Sequence, residues 1–337
     1  MRILVLGGTV FLSRAVATAA LALGHTVTCV SRGVSGAPPV GAEALTADRS
    51  RSGALAAAVR GRTFDAVVDV ATMSAPWVRE ALDALDGRYG HWTFVSSVNV
   101  YADLSRRGGT VGQATLAPRH DDPGAAPPSE RDPDVYGAAK VGSEQAVHER
   151  AGDRAHVVRG GLMCGHGDPH DRYGYWANRF ARGGRVVVPD SPAQPMQVVD
   201  VDDLAAWIVT RAGTGTTGTH DGTGPRSTLD RVLAATAEAV GADDLELVRV
   251  PGETLRAQDV AIWAGPRSLP LWLPETHWGM ADRDVTATVA AGLETRPLAV
   301  TARAALAWER ELGLDRGRAA GLTAAEERAV LAAHTGG

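Results

Sequence analysis

Tyr136-Gly137-Ala138-Ala139-Lys140 sets a phenol and an ammonium four residues apart. On a helix that spacing puts both side chains on one face. A free tyrosine releases its proton only at a pKa of about 10. A neighbouring cation stabilises the phenolate, so the pair can exchange a proton with a carbonyl or an alcohol near neutral pH. Ser97 offers a third group. It follows an apolar run from Trp92, in Ser96-Ser97-Val98-Asn99-Val100-Tyr101. A hydroxyl at the carboxyl end of a strand sits where α/β sheets bind ligands, so Ser97 can hold the reacting oxygen. The plainer reading of Ser96 and Ser97 is turn chemistry.

Such a trio needs a frame and an electron carrier. Residues 2–6 form an apolar run without alternation, which fits a strand buried on both faces. Gly7-Gly8-Thr9 follows, then a helical stretch from Phe11 to Leu23, Gly24, and a β-branched strand from Thr26 to Val30. A glycine turn between strand and helix is where a nucleotide pyrophosphate meets helix N–H groups. Gly7, Gly8, Thr9, Val10, Phe11 and Leu12 are therefore expected at a dinucleotide. A full fingerprint would have glycine at positions 7, 10 and 13; this chain has Gly7, Val10 and Ser13.

The end of the second strand selects the cofactor. An acid there receives the ribose 2′-hydroxyl of NAD, whereas an arginine meets a 2′-phosphate. Ser31-Arg32 carries no acid, so NADP(H) is expected in preference to NAD(H). Asp48-Arg49 follows a short third strand, Glu43 to Thr46, with Asp48 placed to receive the adenine amino group.

The alternation continues through helix Ala54–Arg60, strand Phe64–Val70, helix Trp77–Leu85, strand Trp92–Ser96, helix Val135–Glu149 and strand His156–Arg159. This pattern predicts an α/β, Rossmann-like doubly wound parallel sheet with a smaller C-terminal substrate lobe. Residues 1–165 form the dinucleotide-binding domain, to which some later segments return, and 166–337 form mainly the substrate lobe and a helical tail. Residues 102–133, rich in Gly, Pro, Asp and Arg, read either as an active-site lid or as a disordered insertion. Beyond residue 165 the pattern loosens. Helices are expected at Tyr173–Arg182, Asp202–Arg211, Ser227–Val240, Val285–Ala291, Val300–Glu311 and Ala324–Ala333, with a strand at Leu245–Val250. Tryptophans 207, 263, 272, 278 and 308 either pack this lobe or line a substrate pocket.

Composition narrows the function classes. The 337 residues are 45% hydrophobic and 22% charged, with a net charge of −5, which gives no general attraction to nucleic acid or anionic membrane. Cys29 and Cys164 are the two cysteines, and no Cys/His cluster has zinc spacing, so neither a disulfide framework nor a metal is expected. Gly7-Gly8 and Arg14 interrupt the N-terminal apolar run, which reads as cytoplasmic retention rather than a secretion signal. No uncharged apolar stretch is long enough for a membrane span.

Taken in order, several stretches resemble the short-chain dehydrogenase/reductase superfamily, and most closely its extended or atypical branch, the NAD-dependent epimerase/dehydratase family. They are Gly7-Gly8-Thr9-Val10-Phe11-Leu12, Val67-Val68-Asp69-Val70-Ala71, Ser96 to Tyr101, Tyr136 to Lys140, Arg159-Gly160-Gly161-Leu162, Gly165-His166-Gly167-Asp168 and Gln197 to Ala205. The resemblance implies that Tyr136 is the general acid/base, that Lys140 lowers its pKa and binds the nicotinamide ribose, and that Ser97 orients the substrate oxygen. It places Val70 and Ala71 beside the cofactor, and Asn99, Tyr101, Arg159, His166, Asp168 and Gln197 toward the substrate. It also implies a homodimer packed through Trp77–Leu85 and Val135–Glu149. Val10, Ser13 and Gly160 stand where the family has glycine, glycine and proline.

Three functions follow. The first is an NADP(H)-dependent reductase of a small-molecule carbonyl or imine. The second is a sugar-nucleotide epimerase or dehydratase with tightly bound NAD. The third is a non-catalytic dinucleotide- or RNA-binding protein on the same fold, against which Ser97, Tyr136 and Lys140 argue together.

Overall fold

The computed structural model describes residues 1–70, 74–122 and 132–335. In chain order the first half runs β1 (Arg2–Leu6), α1 (Phe11–Ala22), β2 (Thr26–Ser31), β3 (Glu43–Thr46), α2 (Ala54–Ala58), β4 (Phe64–Asp69), α3 (Ala75–Ala84), β5 (Tyr89–Ser97), α4 (Pro133–Ala151) and β6 (Ala155–Gly160). The second half adds β7 (Leu162–Cys164), α5 (Arg172–Ala181), β8 (Arg185–Pro189), β9 (Pro195–Met196), β10 (Val198–Asp200), α6 (Val201–Thr214), β11 (Gly218–Gly222) and β12 (Ser227–Thr228). It closes with α7 (Leu229–Val240), β13 (Glu246–Val250), α8 (Gly252–Ala257), β14 (Ala261–Trp263), β15 (Ser268–Pro270), α9 (Thr286–Ala290), α10 (Leu298–Leu312) and α11 (Ala324–Thr335).

Seven strands pair in the order β11-β6-β5-β4-β1-β2-β3, every neighbour parallel. This is the doubly wound order with one further strand, and it brings the carboxyl ends of β1, β4 and β5 to one rim. Continuous apolar runs explain the centre: Ile3, Leu4 and Val5 are fully buried, and Val5 stands opposite both Cys29 and Val68. One face is covered by α1 and α6, whose Leu12, Val16, Leu204 and Ile208 pack on Ile3 and Val5. The other is covered by α2, α3 and α4, with Leu55, Val78, Leu82 and Val147 around Leu4, Val67 and Phe94. A second core, built on Tyr173, Trp176, Phe180, Val187, Leu233 and Leu306, unites α5, α7, α10 and the β8–β13 pair into the C-terminal lobe. Trp272 is buried in that core, with Trp263 and Trp278 packed against it, whereas Trp207 packs in the α1–α6 core.

Residues 102–122 are anchored, which corrects the reading of this stretch as a disordered insertion. Arg283, fully buried, donates to the Thr110 carbonyl and to Gln113 Oε1 at 2.7 Å each. The Arg119 amide donates to the Ala138 carbonyl at 2.8 Å. Glycine at 142 permits that crossing, because a Cβ there would stand 2.0 Å from the Arg119 carbonyl oxygen. Residues 123–131 lie outside the described residues.

Candidate active site

The site is assembled from strand and helix ends. Ser97 closes β5 in extended geometry and caps the turn 98–100: its Oγ accepts from the Asn99 amide at 3.2 Å and donates to Asn99 Oδ1 at 2.9 Å. Asn99 thus fixes the Ser97 hydroxyl. Asp132 caps α4, accepting from the Asp134 amide at 2.9 Å, and Pro133 fills the first helical position. These signals start the helix so that Tyr136 falls in its first turn and Lys140 one turn later. Tyr136 hydrogen-bonds Ser97, which brings the two hydroxyls together.

Lys140 follows one turn after Tyr136 on α4. It is buried, its Nζ donates to the Val95 carbonyl at 2.7 Å, and it lies 4.8 Å from the Phe94 ring centre and 5.8 Å from that of Tyr136. Burial pulls its pKa down to about 8, against the field of Asp69 and Glu144. Burial raises the Tyr136 phenol, while the Ser97 hydrogen bond and the Arg172 cation pull it back. Arg172, whose charge also favours the phenolate, is a residue that sequence reasoning missed. Its signal was present in Asp168-Pro169-His170-Asp171-Arg172, a charged stretch before an aromatic helix.

The nucleotide turn carries its own signature. Gly7 and Gly8 take φ of +130° and +98°, and a Cβ on Gly8 would lie 2.4 Å from Cys29 Sγ, so β2 closes directly over it. Helix α1 begins after Val10 with no side-chain cap and no acid in its first turn. Its leading N–H groups are thus left for an anion, and a pyrophosphate fits that end. Ser13 Oγ folds back onto the Val10 carbonyl at 2.8 Å, and the Val10 side chain is 42% exposed at the mouth of the turn. Phe11 takes φ of +42°, a strained value for a residue with a Cβ. The Leu12 side chain is in the core, so only its main chain is available to a cofactor. Thr9 and Val70 are half-buried, and the Val70 amide bonds the Leu6 carbonyl at 3.4 Å. Ala71 lies outside the described residues.

The adenosine end differs from expectation at one position. Arg49 makes a two-pronged ion pair with buried Asp69, at 2.7 and 3.0 Å, and also bonds the Trp77 carbonyl, so it ties β4 to α3 rather than standing free for a nucleotide. Asp48 holds the amide and hydroxyl of Ser50. Ser31 Oγ accepts from the Gly33 amide, and Arg32 is exposed within the field of Asp48.

Several residues expected at the substrate are committed elsewhere. Arg159 forks onto Glu144 and also donates to the Tyr101 hydroxyl and the Val111 carbonyl. Tyr101 donates to Asp221 at 2.6 Å, and Asp221 pairs with Arg283 at 3.0 Å. Gln197 binds the main chain of Gly224 and Arg283. These three side chains are buried, and together they pin the 109–113 loop behind the site. His166 is exposed, bonds Glu311 at 2.9 Å and rests on Trp308. Asp168 is different. Its carboxyl is buried, Oδ1 accepts from the His170 amide at 2.9 Å, and Oδ2 has no partner. Burial raises it to about 6 despite the nearby Arg172. The Gly167 turn beside it comes near Phe11, where an added Cβ would stand 3.9 Å from the ring.

The family model described as NAD dependent epimerase/dehydratase matches residues 3–221, from the first strand of the sheet to its last. The chain belongs to that family. Similar solved structures share the fold at low identity. UDP-N-acetylglucosamine 4-epimerase from Bacillus cereus is 15% identical, with 91% of this chain and 99% of that one covered and a TM-score of 0.64. UDP-glucuronic acid 4-epimerase from Bacillus cereus, in complex with NAD, is 12% identical over 95% and 100% of the two chains, with a TM-score of 0.64. UDP-glucose-4-epimerase from Stenotrophomonas maltophila, with bound NAD and formylated UDP-arabinopyranose, is 19% identical over 93% and 98%, with a TM-score of 0.66. No curated protein matches the sequence. Among the described residues no helix is long and apolar enough to cross a membrane, and no cluster has the makings of a metal site.

Proposed function

We propose that this family member interconverts sugar nucleotides, as an epimerase or dehydratase working at a secondary-alcohol carbon with a bound dinucleotide. The observation that carries the reading is the Tyr136–Ser97 hydroxyl pair at the rim that the uncapped α1 turn shares. The family and the epimerases that share the fold support it over net reduction.

The uncapped end of α1 would hold the pyrophosphate, with Gly7 and Gly8 letting the main chain approach it. A nicotinamide bound there supplies hydride acceptance and return at the substrate carbon. Tyr136 takes the proton of the substrate hydroxyl and later gives it back. Ser97, held by Asn99, turns its hydroxyl hydrogen from Asn99 Oδ1 to the same oxygen when substrate binds and keeps it in line with the phenol. Lys140 holds its ammonium 5.8 Å from the Tyr136 ring centre, and the charge of Arg172 also favours the phenolate.

NAD is the cofactor of this reading. The NADP(H)-dependent reductase stands as the second reading because Arg32 is exposed at the end of β2, where a 2′-phosphate would lie. Purified protein decides between them. Co-purifying NAD, with C4 or neighbouring inversion of a UDP-sugar, supports the first. A preparation free of dinucleotide that oxidises added NADPH with a carbonyl compound supports the second.

Homodimerisation belongs to the same proposal. It would join α3 and α4 to their copies across a polar face, where Asp83 pairs with Arg150 at 2.9 Å. Light scattering at twice the monomer mass supports it, and a monomer rejects it. Buried free thiols at Cys29 and Cys164 suit a reducing cytoplasm.

A further inference from the structure

The C-terminal lobe holds a cavity of about 290 Å³, lined by α5, α11 and the segments beside them, and none of its lining residues belongs to the Tyr136–Ser97 site or to the nucleotide turn. The sequence concentrates arginine there. Arg179 and Arg182 stand three apart at the end of α5, on one side of the helix. Gly183 and Gly184, both at φ of +68°, then turn the chain so that Arg185 opens β8 beside them. Arg318 comes from the segment before α11, and Arg328 from α11 itself. Five arginines thus line the cavity against one acid, Glu327.

That acid is already engaged. Glu327 Oε2 accepts from Arg179 Nε at 2.7 Å, and Oε1 accepts from the Val187 amide at 3.1 Å. The other Arg179 donors go to the Gly183 and Arg185 carbonyls at 2.7 and 2.9 Å, so this pair is neutral and complete. The remaining four arginines are poorly neutralised. Arg328 is exposed and forms no ion pair among the described residues. Arg185 approaches Glu246 only to 3.7 Å, and Arg182 pairs with Asp315, whose side chain is 93% exposed. Surface pairs of this kind contribute little and exchange readily for a better-matched anion. Arg318 shares Glu309 with Arg316. The Arg318 Nε and the hydroxyl of buried Tyr175, both in residues that line the cavity, have no acceptor.

A cleft lined by one sign of charge against low-dielectric walls concentrates the field and draws counter-ions. Guanidinium groups match the oxygens of a phosphate, and Leu322 and Leu331 in the same wall offer apolar surface to an organic group. The volume lies at the lower end of the range for small-molecule pockets, about 300 Å³, which suits a small ligand. We propose that this cavity binds a small phosphate monoester, with its phosphate on Arg182, Arg185 and Arg328 and its organic part on Leu322 and Leu331. The site is independent of the sugar-nucleotide reading.

The test uses the full-length protein, with inorganic phosphate and phenyl phosphate as probes. Calorimetry measures binding, which needs no turnover. Phenyl phosphate should bind one to one, about three- to tenfold tighter than inorganic phosphate, because its ring meets the leucines. Arg182→Gln combined with Arg328→Gln should weaken it about 10- to 100-fold. Both side chains are exposed, and an unchanged melting temperature without ligand establishes that the variant folds. Added NAD should leave phenyl phosphate binding unchanged. Binding that the double variant does not weaken, or that NAD abolishes, places the anion elsewhere and overturns the proposal. Equal affinity for the two probes overturns the ester and assigns the cavity to free phosphate.

Discussion

Lys140 donates to the Val95 carbonyl at 2.7 Å and stands 5.8 Å from the centre of the Tyr136 ring, while Ser97 hydrogen-bonds the phenol directly. The Tyr136 hydroxyl, proposed to transfer the proton, is thus held by Ser97. Ser97→Ala should lower kcat about 10²-fold with dinucleotide affinity unchanged, since the hydroxyl serves orientation. Steady-state kinetics with dinucleotide titration checks this, and an undiminished kcat counts against the role.

Lys140 is a charge held against burial. Its pKa falls from 10.5 to about 8, so between those values the unfolded chain binds more protons and stability rises with pH. Below pH 8 the buried charge is a net burden on the fold. Lys140→Met should melt no lower than wild type at pH 7 while turnover drops by about 10²-fold or more. Parallel melting and rate measurements test both halves. A large fall in melting temperature would make the lysine structural.

The sheet and the places of Ser97, Tyr136 and Lys140 on it were legible because their signals are local. The unbroken apolar run Ile3–Leu6, the strand ending at Ser97 and the four-residue Tyr136–Lys140 step lie where periodicity places them. Edge strand β11 was illegible because Gly-Thr-His-Asp-Gly has no apolar residue; it is defined by main-chain bonds to β6, with His220 half-buried and Asp221 buried. Arg159, Tyr101 and Gln197 looked like ligand contacts because polar residues near a site motif do. Their partners, Glu144, Asp221 and Gly224, are 15 to 120 residues away, and no spacing rule reveals such pairs. Arg172 was missed because nothing in its spacing reveals its contact with Trp263, visible only in three dimensions.

The exposed Val10 isopropyl group stands at the mouth of the nucleotide turn, beside strained Phe11. Val10→Gly should tighten NAD binding by about three- to tenfold, because glycine lets the main chain approach the pyrophosphate. Calorimetry on dinucleotide-stripped protein reads the change. Weaker binding would indicate that Val10 packs on the cofactor.

Arg283 and Asp221 are both buried and link Gln113, Thr110 and Gln197. Arg283→Ala leaves Asp221 without its cation and frees the 109–113 loop. The expected loss is about 3–5 kcal/mol in urea unfolding. A loss under about 1 kcal/mol would show that the pair breaks even.

Acid should weaken the fold through three strand histidines. His156 is fully buried, with both ring nitrogens unpartnered, between His91 on β5 and His220 on β11, with ring centres 6.2 and 5.2 Å away. Burial, then the fields of His220, His91 and Arg211, lower it from 6.5 to about 3. Above pH 6.5 both folded and unfolded forms are neutral. Below it the unfolded chain gains the proton first, so stability falls as pH drops, by up to about 1.4 kcal/mol per unit from this residue. Melting temperatures between pH 7 and 5 should fall, and His156→Phe should flatten the slope. An unchanged slope assigns the acid sensitivity elsewhere.

The central claim is that Tyr136 removes a proton from a substrate alcohol whose carbon gives hydride to a bound nicotinamide. Rapid mixing of the dinucleotide-loaded enzyme with a UDP-sugar, followed through reduced-nicotinamide absorbance, tests it directly. Wild type should show a transient rise and decay with no net consumption of cofactor, and Tyr136→Phe should show none while binding the sugar normally. A transient of equal size and rate in Tyr136→Phe would contradict the account.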